Sequence, residues 1–392
     1  MVSPRFIKSI AANIAYWTTQ SQELQDETLA VLDAERENIF HAVQFGLRLP
    51  QTRAATAELA LQAFLLIERR GYWREWIPIL EQLLATLNDH NLPLKFRLLK
   101  ELGQLQRFER QLQAAVESHQ AALAIAQQLN DKKMVAQARF NLSEDHRQKR
   151  QYREAKQYGL KALESFTTQE NKRWMAITLN TLGLIAQSEG HFVLSEERLL
   201  KAVTLWREVL EPTELARSLN NLALTLQKQG KFTSALACYH EAATQLAQTV
   251  SELDKVKVQI SLGTLYFDLE QWSKAESAFK EANSPYLLNS AHFYDRALIA
   301  QNLGNVLLKQ KRFSEAEDYL RNAIHLWRQK DDHLMLANSL GTLGQVLARQ
   351  GKKARHFLDE AISLLASYTA SDQSARKLLA EFEAERLALL DE

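Results

Sequence analysis

The chain has 392 residues, 46% hydrophobic and 24% charged, the composition of a folded protein and not of a disordered tail. Its 48 lysines and arginines offset 47 aspartates and glutamates for a formal charge of +1, which excludes a global field that would draw it to nucleic acid or an anionic membrane. Cys238 is the single cysteine, so an intrachain disulfide framework and a multi-cysteine zinc site are excluded, and six prolines with twelve glycines favour long helices over strands and tight turns.

The opening residues "MVSPRFIKSIAANIAYW" lack a continuous apolar core followed by a small-residue cleavage site, and no run of 18 apolar residues occurs anywhere. Both features predict a cytoplasmic chain without a membrane span. Residues 1–54 read as a helical cap or linker, in which "LDAERENIFHAVQFGLRLP" (32–50) predicts one amphipathic helix with Ile39, Phe40, Val43 and Leu47 on one side, ended before Pro50. Residues 55–95 predict a degenerate helical hairpin, its turn at Gly71 and Trp73.

From residue 96 to 368 the sequence repeats. Leu102-Gly103, Leu142-Ser143, Leu182-Gly183, Leu222-Ala223, Leu262-Gly263, Leu303-Gly304 and Leu343-Gly344 recur every 40 residues, with one step of 41. Each pair is followed by two small residues seven apart, such as Ala115 and Ala122 or Ala235 and Ala242, which put a flat stripe on a second helix. Between the helices lies a short turn such as "KQGKF" (228–232), where glycine suits a left-handed C-cap and Phe192, Phe232, Trp272 or Phe313 follows two residues later to cover the hairpin end. The last copy is two residues short in its turn, and residues 369–392 predict a polar-backed capping helix offering Leu378, Leu379, Phe382 and Leu389 for burial. The fold class that follows is all-α, a right-handed α-solenoid of seven tandem helical hairpins with a period near 40 residues.

The order leucine, small residue, large apolar residue four later, turn glycine, alanine, large apolar, alanine resembles the tetratricopeptide repeat, with Tyr266 and Tyr239 in its two large-residue places. The longer period resembles kinesin light chains and the helical-repeat sensors of bacterial signal-transduction ATPases of the STAND type. Leu32, Glu35, Asn38, Ala42 and Gly71 are similar to the segment that precedes the repeats in those ATPases. The resemblance implies a non-enzymatic scaffold for protein–protein interaction, the sensor or interaction region of a bacterial signalling or regulatory protein. No G-x-x-x-x-G-K-[ST] loop is present, so a nucleotide-binding unit would lie outside these residues.

Motifs for catalysis are missing as well: there is no H-E-x-x-H, G-x-S-x-G or paired-ligand spacing. No catalytic residue, metal or cofactor is expected. His119 and His146 stand where the repeat places large apolar residues, beside Glu144 and Asp145. The alternatives are a hydrogen-bonded core defect and a metal or catalytic seam between repeats. "DHRQKRQYREAK" (145–156) reads as a solvated turn, Trp206 and Trp327 as packing at helix ends, and Cys238 as a packing residue.

In the family's superhelix the residue just before the repeat leucine faces a concave groove, and here that place is always polar: Glu101, Asn141, Thr181, Asn221, Ser261, Asn302 and Thr342. Neighbouring groove positions add Asn180, Arg217, Asn220, Lys257, Gln301, Asn305 and Asn338. Amides present both donors and an acceptor, so such a row suits the backbone of a peptide or protein partner, or alternatively a small polar ligand or signalling peptide. Lys100 and Asn141 match two places of a known carboxylate clamp of the family, but Gln104, Ile177 and Thr181 do not complete it. No nucleic acid or membrane partner is expected for this chain.

Overall fold

The computed structural model describes residues 3–22, 29–87, 91–249, 251–288, 293–329, 332–368 and 373–389. Among them every regular element is helical, and the chain falls into two compact units, residues 1–214 and 215–392. The first unit begins with α1 (Pro4–Gln22), α2 (Leu29–Ala34), α3 (Arg36–Leu47), a 3-10 turn Pro50–Thr52, α4 (Arg53–Gln62), α5 (Phe64–Arg70) and α6 (Trp73–Thr86). The single helix expected over 32–50 is two, because the backbone turns at Glu35 (φ −99°, ψ 8°) and Asn38 Nδ2 donates back to the Glu35 carboxylate at 2.6 Å. Ile39 and Val43 are buried as expected. The degenerate hairpin turns at Gly71, whose φ is +79°, but its first helix is interrupted between α4 and α5 at Ala63.

Paired helices follow at the predicted register. The first unit holds α7 (Leu92–Phe108) with α8 (Leu112–Gln128), α9 (Lys132–Gln148) with α10 (Tyr152–Thr168), and α11 (Lys172–Ser188) with α12 (Phe192–Val209). The second holds α13 (Pro212–Lys228, from Leu215 on) with α14 (Phe232–Leu246), and α15 (Glu252–Asp268) with α16 (Trp272–Ala282) and the one-turn α17 (Pro285–Leu288). It continues with α18 (Phe293–Lys309) and α19 (Phe313–Arg328), α20 (His333–Arg349) and α21 (Arg355–Ala366), and a final α22 (Gln373–Ala388). Phe382 of α22 is buried, as expected of a cap. Residues 369–372 and 390–392 of the predicted capping segment lie outside the described residues.

What seats one helix of a hairpin on the other is a hole on the first and a knob on the second. A Cβ added at Gly183 would stand 2.7 Å from Leu199, at Gly263 2.6 Å from Phe279, at Gly304 2.5 Å from Leu320 and at Gly344 2.6 Å from Leu358. Ala223 and Tyr239 hold the same two places and both are fully buried. In the second hairpin the roles reverse: Ser143 stands on the first helix, and the hole is Gly159, filled by Leu182. The alanine stripe is buried throughout, from Ala115 to Ala361.

The turns are periodic too. Arg110, Arg150, Gly190, Gly230, Glu270, Lys311 and Gly351 all carry positive φ at the hairpin turn, a conformation that costs a non-glycine residue about 1–2 kcal/mol. Phe192, Phe232, Trp272 and Phe313 each open a second helix, although Phe232 stays 38% exposed and covers little. Between hairpins, Asp131, Asn171 and Asp332 cap the next helix by accepting from Met134, Trp174 and Met335 amides.

Long polar side chains join successive repeats. Arg97 meets Glu58 at 2.8 Å and Arg173 meets Glu211 at 2.5 Å in the first unit; Arg312 meets Glu276 and Lys352 meets Glu317 at 2.8 and 2.7 Å in the second. Burial raises the pKa of Glu276, but hydrogen bonds from Lys280, Arg312 and Gln310 outweigh it and hold the carboxyl at about 2.

One joint departs from the apolar rule. His119 is the knob over Gly103, its Nε2 2.5 Å from the place a Cβ on that glycine would take, and it is fully buried. Its Nδ1 lies 2.5 Å from Asp145 Oδ2 and its Nε2 3.1 Å from the Lys100 carbonyl. Arg107 donates to the other Asp145 oxygen at 3.1 Å. Asp145 is 0% exposed, so the stretch 145–156 does not begin as a solvated turn: its first residue is core. His146 does not join this cluster; its Nδ1 bonds Gln151 at 2.8 Å and its ring stacks on Tyr158.

Three outcomes are expected. Gly304→Val lowers stability by about 1–3 kcal/mol through overpacking, and the same substitution costs less in a Leu320→Ala background; additive denaturation energies would refute the knob-and-hole contact. Because the folded pKa of Glu276 lies below its ordinary value of 4.5, its contribution is present above that pH and is lost as pH falls toward about 2. The stability gap between wild type and Glu276→Gln therefore narrows on acidification, and a gap that widens would contradict this. Asp145→Val strands Arg107 and His119 and costs about 3–5 kcal/mol, whereas Arg107→Leu/His119→Leu/Asp145→Val restores wild-type stability or exceeds it. A triple variant as unstable as the single one would show that the ionic cluster is net stabilising.

Candidate functional site

The first helices of the hairpins carry the polar row, and their burial sorts its members. In the first unit Asn141 and Thr181 are 6% and 3% exposed. The Asn141 carbonyl lies 3.5 Å from Arg107 Nη1, and the Thr181 hydroxyl hydrogen-bonds to Glu144. Burial pushes the Glu144 carboxyl up, yet Arg147 at 2.8 Å, Arg107 and Thr181 together hold it below its usual range. These positions serve contacts between α7, α9 and α11. Asn180, one residue before Thr181, is half-buried.

In the second unit Arg217 of α13 forms a two-bond fork with Asp254 of α15, at 2.9 and 2.8 Å, and the Ser251 hydroxyl also donates to Asp254. Asp254 is buried, which raises its pKa, but these hydrogen bonds and the nearby Lys257 charge lower it overall. Gln301 is not a groove residue: it is 3% exposed, and its Oε1 accepts from Trp327 Nε1 at 3.0 Å and Ser339 Oγ at 2.8 Å. The tryptophan of the second helix reaches across and covers it. Thr342 is likewise buried and bonds the Asn338 carbonyl.

The rest of the row keeps open surface. Lys257 is exposed, and Asn220, Asn221, Ser261, Asn302, Asn305 and Asn338 are half-buried. Ser261 donates to the Lys257 carbonyl at 3.0 Å. Asn220 Oδ1 and Asn305 Oδ1 are buried atoms with no hydrogen-bond partner among the described residues, a state that costs stability unless something else supplies a donor.

The seam expected around His119 and His146 is not one site. Both ring nitrogens of His119 are engaged, and His146 turns to Gln151. Among the described residues no group of three His, Cys, Asp or Glu side chains is arranged to hold a metal ion, and no helix is long and apolar enough to cross a membrane. Trp206 and Trp327 are fully buried packing residues. Sequence reasoning missed Asp254 and Glu276 as anchors between repeats; the signal was an acidic residue 36 or 37 positions from an arginine on the neighbouring repeat.

The family model of the tetratricopeptide repeat matches residues 174–248, 214–282 and 295–367. Regulatory protein RapG of Bacillus subtilis is 24% identical over 148 residues, which span 38% of this chain and 39% of RapG. The fold is shared with the STAND protein with a tetratricopeptide repeat sensor from Pyrococcus horikoshii (TM-score 0.60, 14% identity, 94% of this chain and 55% of that one). It is shared too with the apo form of the quorum sensor NprR from B. thuringiensis (TM-score 0.56, 15% identity, 91% and 99%). A Rap protein complexed with competence and sporulation factor aligns at TM-score 0.53 and 14% identity over 86% of this chain and 97% of that one. By their 40-residue register, their seated hairpins and this family match, residues 174–282 and 295–367 carry tetratricopeptide repeats.

Proposed function

We propose that the chain is a non-enzymatic recognition scaffold that binds a protein or peptide through the polar row on the first helices, as the interaction region of a bacterial regulatory or signalling protein. The observation that carries the reading is that Asn220 and Asn305 remain half-buried on α13 and α18, so that the open part of their amides could pair with the backbone groups of an extended peptide. Around them Asn221, Lys257, Ser261, Asn302 and Asn338 offer further polar atoms on α13, α15, α18 and α20. Asn141 and Thr181 contribute by holding their helices in register, while Asn180 is the first unit's candidate contact.

The fold typical of non-catalytic scaffolds and the likeness to a regulatory protein support this reading, as does a Rap protein whose solved complex holds competence and sporulation factor. Cytoplasmic residence belongs to the same proposal. A small polar ligand would use the same amides, and the experiment separates the two.

A linear heptapeptide selected from a display library on the purified protein is titrated calorimetrically into wild type and into Asn221→Ala/Asn302→Ala. Loss of about 1–3 kcal/mol, roughly 10- to 100-fold in Kd, with an unchanged melting temperature is expected. Unchanged affinity removes the row from the binding surface. A library that yields no binder, with a free amino acid or sugar binding instead, moves the site to small ligands.

A further inference from the structure

The hairpin turns of the first two repeats hold a second, different surface. Between the α7–α8 turn and the α9–α10 turn lies an open cleft of about 710 Å³, lined by Arg110, Lys149 and Arg150 with Gln111, Gln113 and Gln148, and by no carboxylate. Lys149 reaches across it to Gln113 Oε1 at 2.7 Å. Neither Arg110 nor Arg150 forms an ion pair with any described residue, whereas Arg97, Arg173, Arg312 and Arg349 each meet an acid. Both are exposed.

Their backbone makes the residue choice informative. Arg110 and Arg150 sit at φ +62° and +59°, the place that Gly190, Gly230 and Gly351 fill in three other repeats and Glu270 and Lys311 in two. A Cβ at those glycines would meet nothing within 4 Å, so the turn itself asks only for left-handed backbone, and glycine gives that without strain. Arginine at both turns works against local stability, and the two guanidinium groups face one cleft beside an ammonium group.

We propose that this cleft is a docking surface for an acidic segment of a protein partner, two or three Asp or Glu carboxylates in sequence, received by the guanidinium forks of Arg110 and Arg150 and by Lys149. Guanidinium pairs with carboxylate through two parallel hydrogen bonds, which fixes geometry as well as charge. A nucleic acid fits less well: the cationic surface is one cleft wide, its lining has no aromatic ring for a base to stack on, and the whole chain carries only +1. The cleft shares no residue with the polar row, so its test is independent of the function proposed above.

The test is fluorescence anisotropy at low salt with fluorescein-labelled hexaglutamate, on the full chain and on Arg110→Gly/Arg150→Gly, with Glu270→Gly as a control for turn relief at a site without the cleft. Wild type and the control are expected to bind, with affinity falling as salt rises, and the double variant to bind at least tenfold more weakly while unfolding at the same or a higher temperature. That combination, weaker binding with undiminished stability, is what a purely structural role for the two arginines cannot give. No binding by wild type at millimolar peptide, or equal binding by the double variant, overturns the proposal. Tighter binding of a fluorescein-labelled ten-nucleotide thymidine strand, lost in the same variant, overturns the assignment to acidic protein segments.

Discussion

The contact on which the structure depends is the seating of a large side chain from the second helix of each hairpin over a residue with little or no side chain on the first. Gly183 beneath Leu199, Gly263 beneath Phe279 and Gly304 beneath Leu320 leave no room for even one added carbon. Such proximity sets the distance between the two helices, and the distance sets where the next hairpin finds its surface. The buried alanine stripe at Ala115, Ala122, Ala155 and Ala162 does the same for the neighbouring repeat, keeping the outer helix close enough for the following first helix to lie in the groove between the pair. Long ion pairs such as Arg97 with Glu58 or Arg349 with Glu385 then act at the rim, where exposure limits each to a few tenths of a kcal/mol up to about 1.

Because each hairpin touches chiefly its neighbours, a departure from the rule stays local. The second hairpin exchanges hole and knob, with Ser143 opposite Gly159 and Leu182 filling the gap from the next repeat. The first replaces the apolar knob by His119, and the residue that the next repeat would offer by Asp145; the equivalents of Asp145 elsewhere are Leu105, Ile185, Thr225, Leu265, Val306 and Val346, apolar at all but Thr225. Two substitutions that would each be ruinous alone become compatible once Arg107 supplies the balancing charge. The cluster thus has the mark of a compensated change in the core, built from three helices and closed to solvent.

The period was legible in the sequence because it rests on small residues at fixed spacing, and small residues at a helix interface have few other reasons to recur. So were the turn glycines at 190, 230 and 351, the terminal helix and the packing roles of Trp206 and Trp327. What could not be read were features decided by a neighbour outside the local pattern. The break at Glu35 leaves the amphipathic spacing of Ile39 and Val43 intact, so periodicity alone gives no sign of it. Asp145 sits in a run of charges, "EDHRQKR", that looks solvated until His119, 26 residues earlier, is brought against it. Arg110 and Arg150 occupy turn positions where composition suggests only solubility; their interest comes from backbone that favours glycine and from the cleft they share.

The polar row shows the same dependence within one set of equivalent positions. Asn141, Thr181, Asn221 and Asn302 stand at the same place in the repeat, yet the first two are covered and the last two remain partly open. The difference lies in what adjacent repeats extend toward them: Arg107 donates to the Asn141 backbone carbonyl and Glu144 pairs with the Thr181 hydroxyl. Gln301 is likewise covered by Trp327 and Ser339. A polar residue in a repeat protein is therefore able to recognise a partner only where the neighbouring repeats have not already used it. In the second unit Asn220, Asn221, Asn302 and Asn305 remain half-buried. A row uniform in chemistry along the chain is divided by packing into members that join repeats and members that keep open surface, and the division runs through side-chain reach, which spacing alone does not encode.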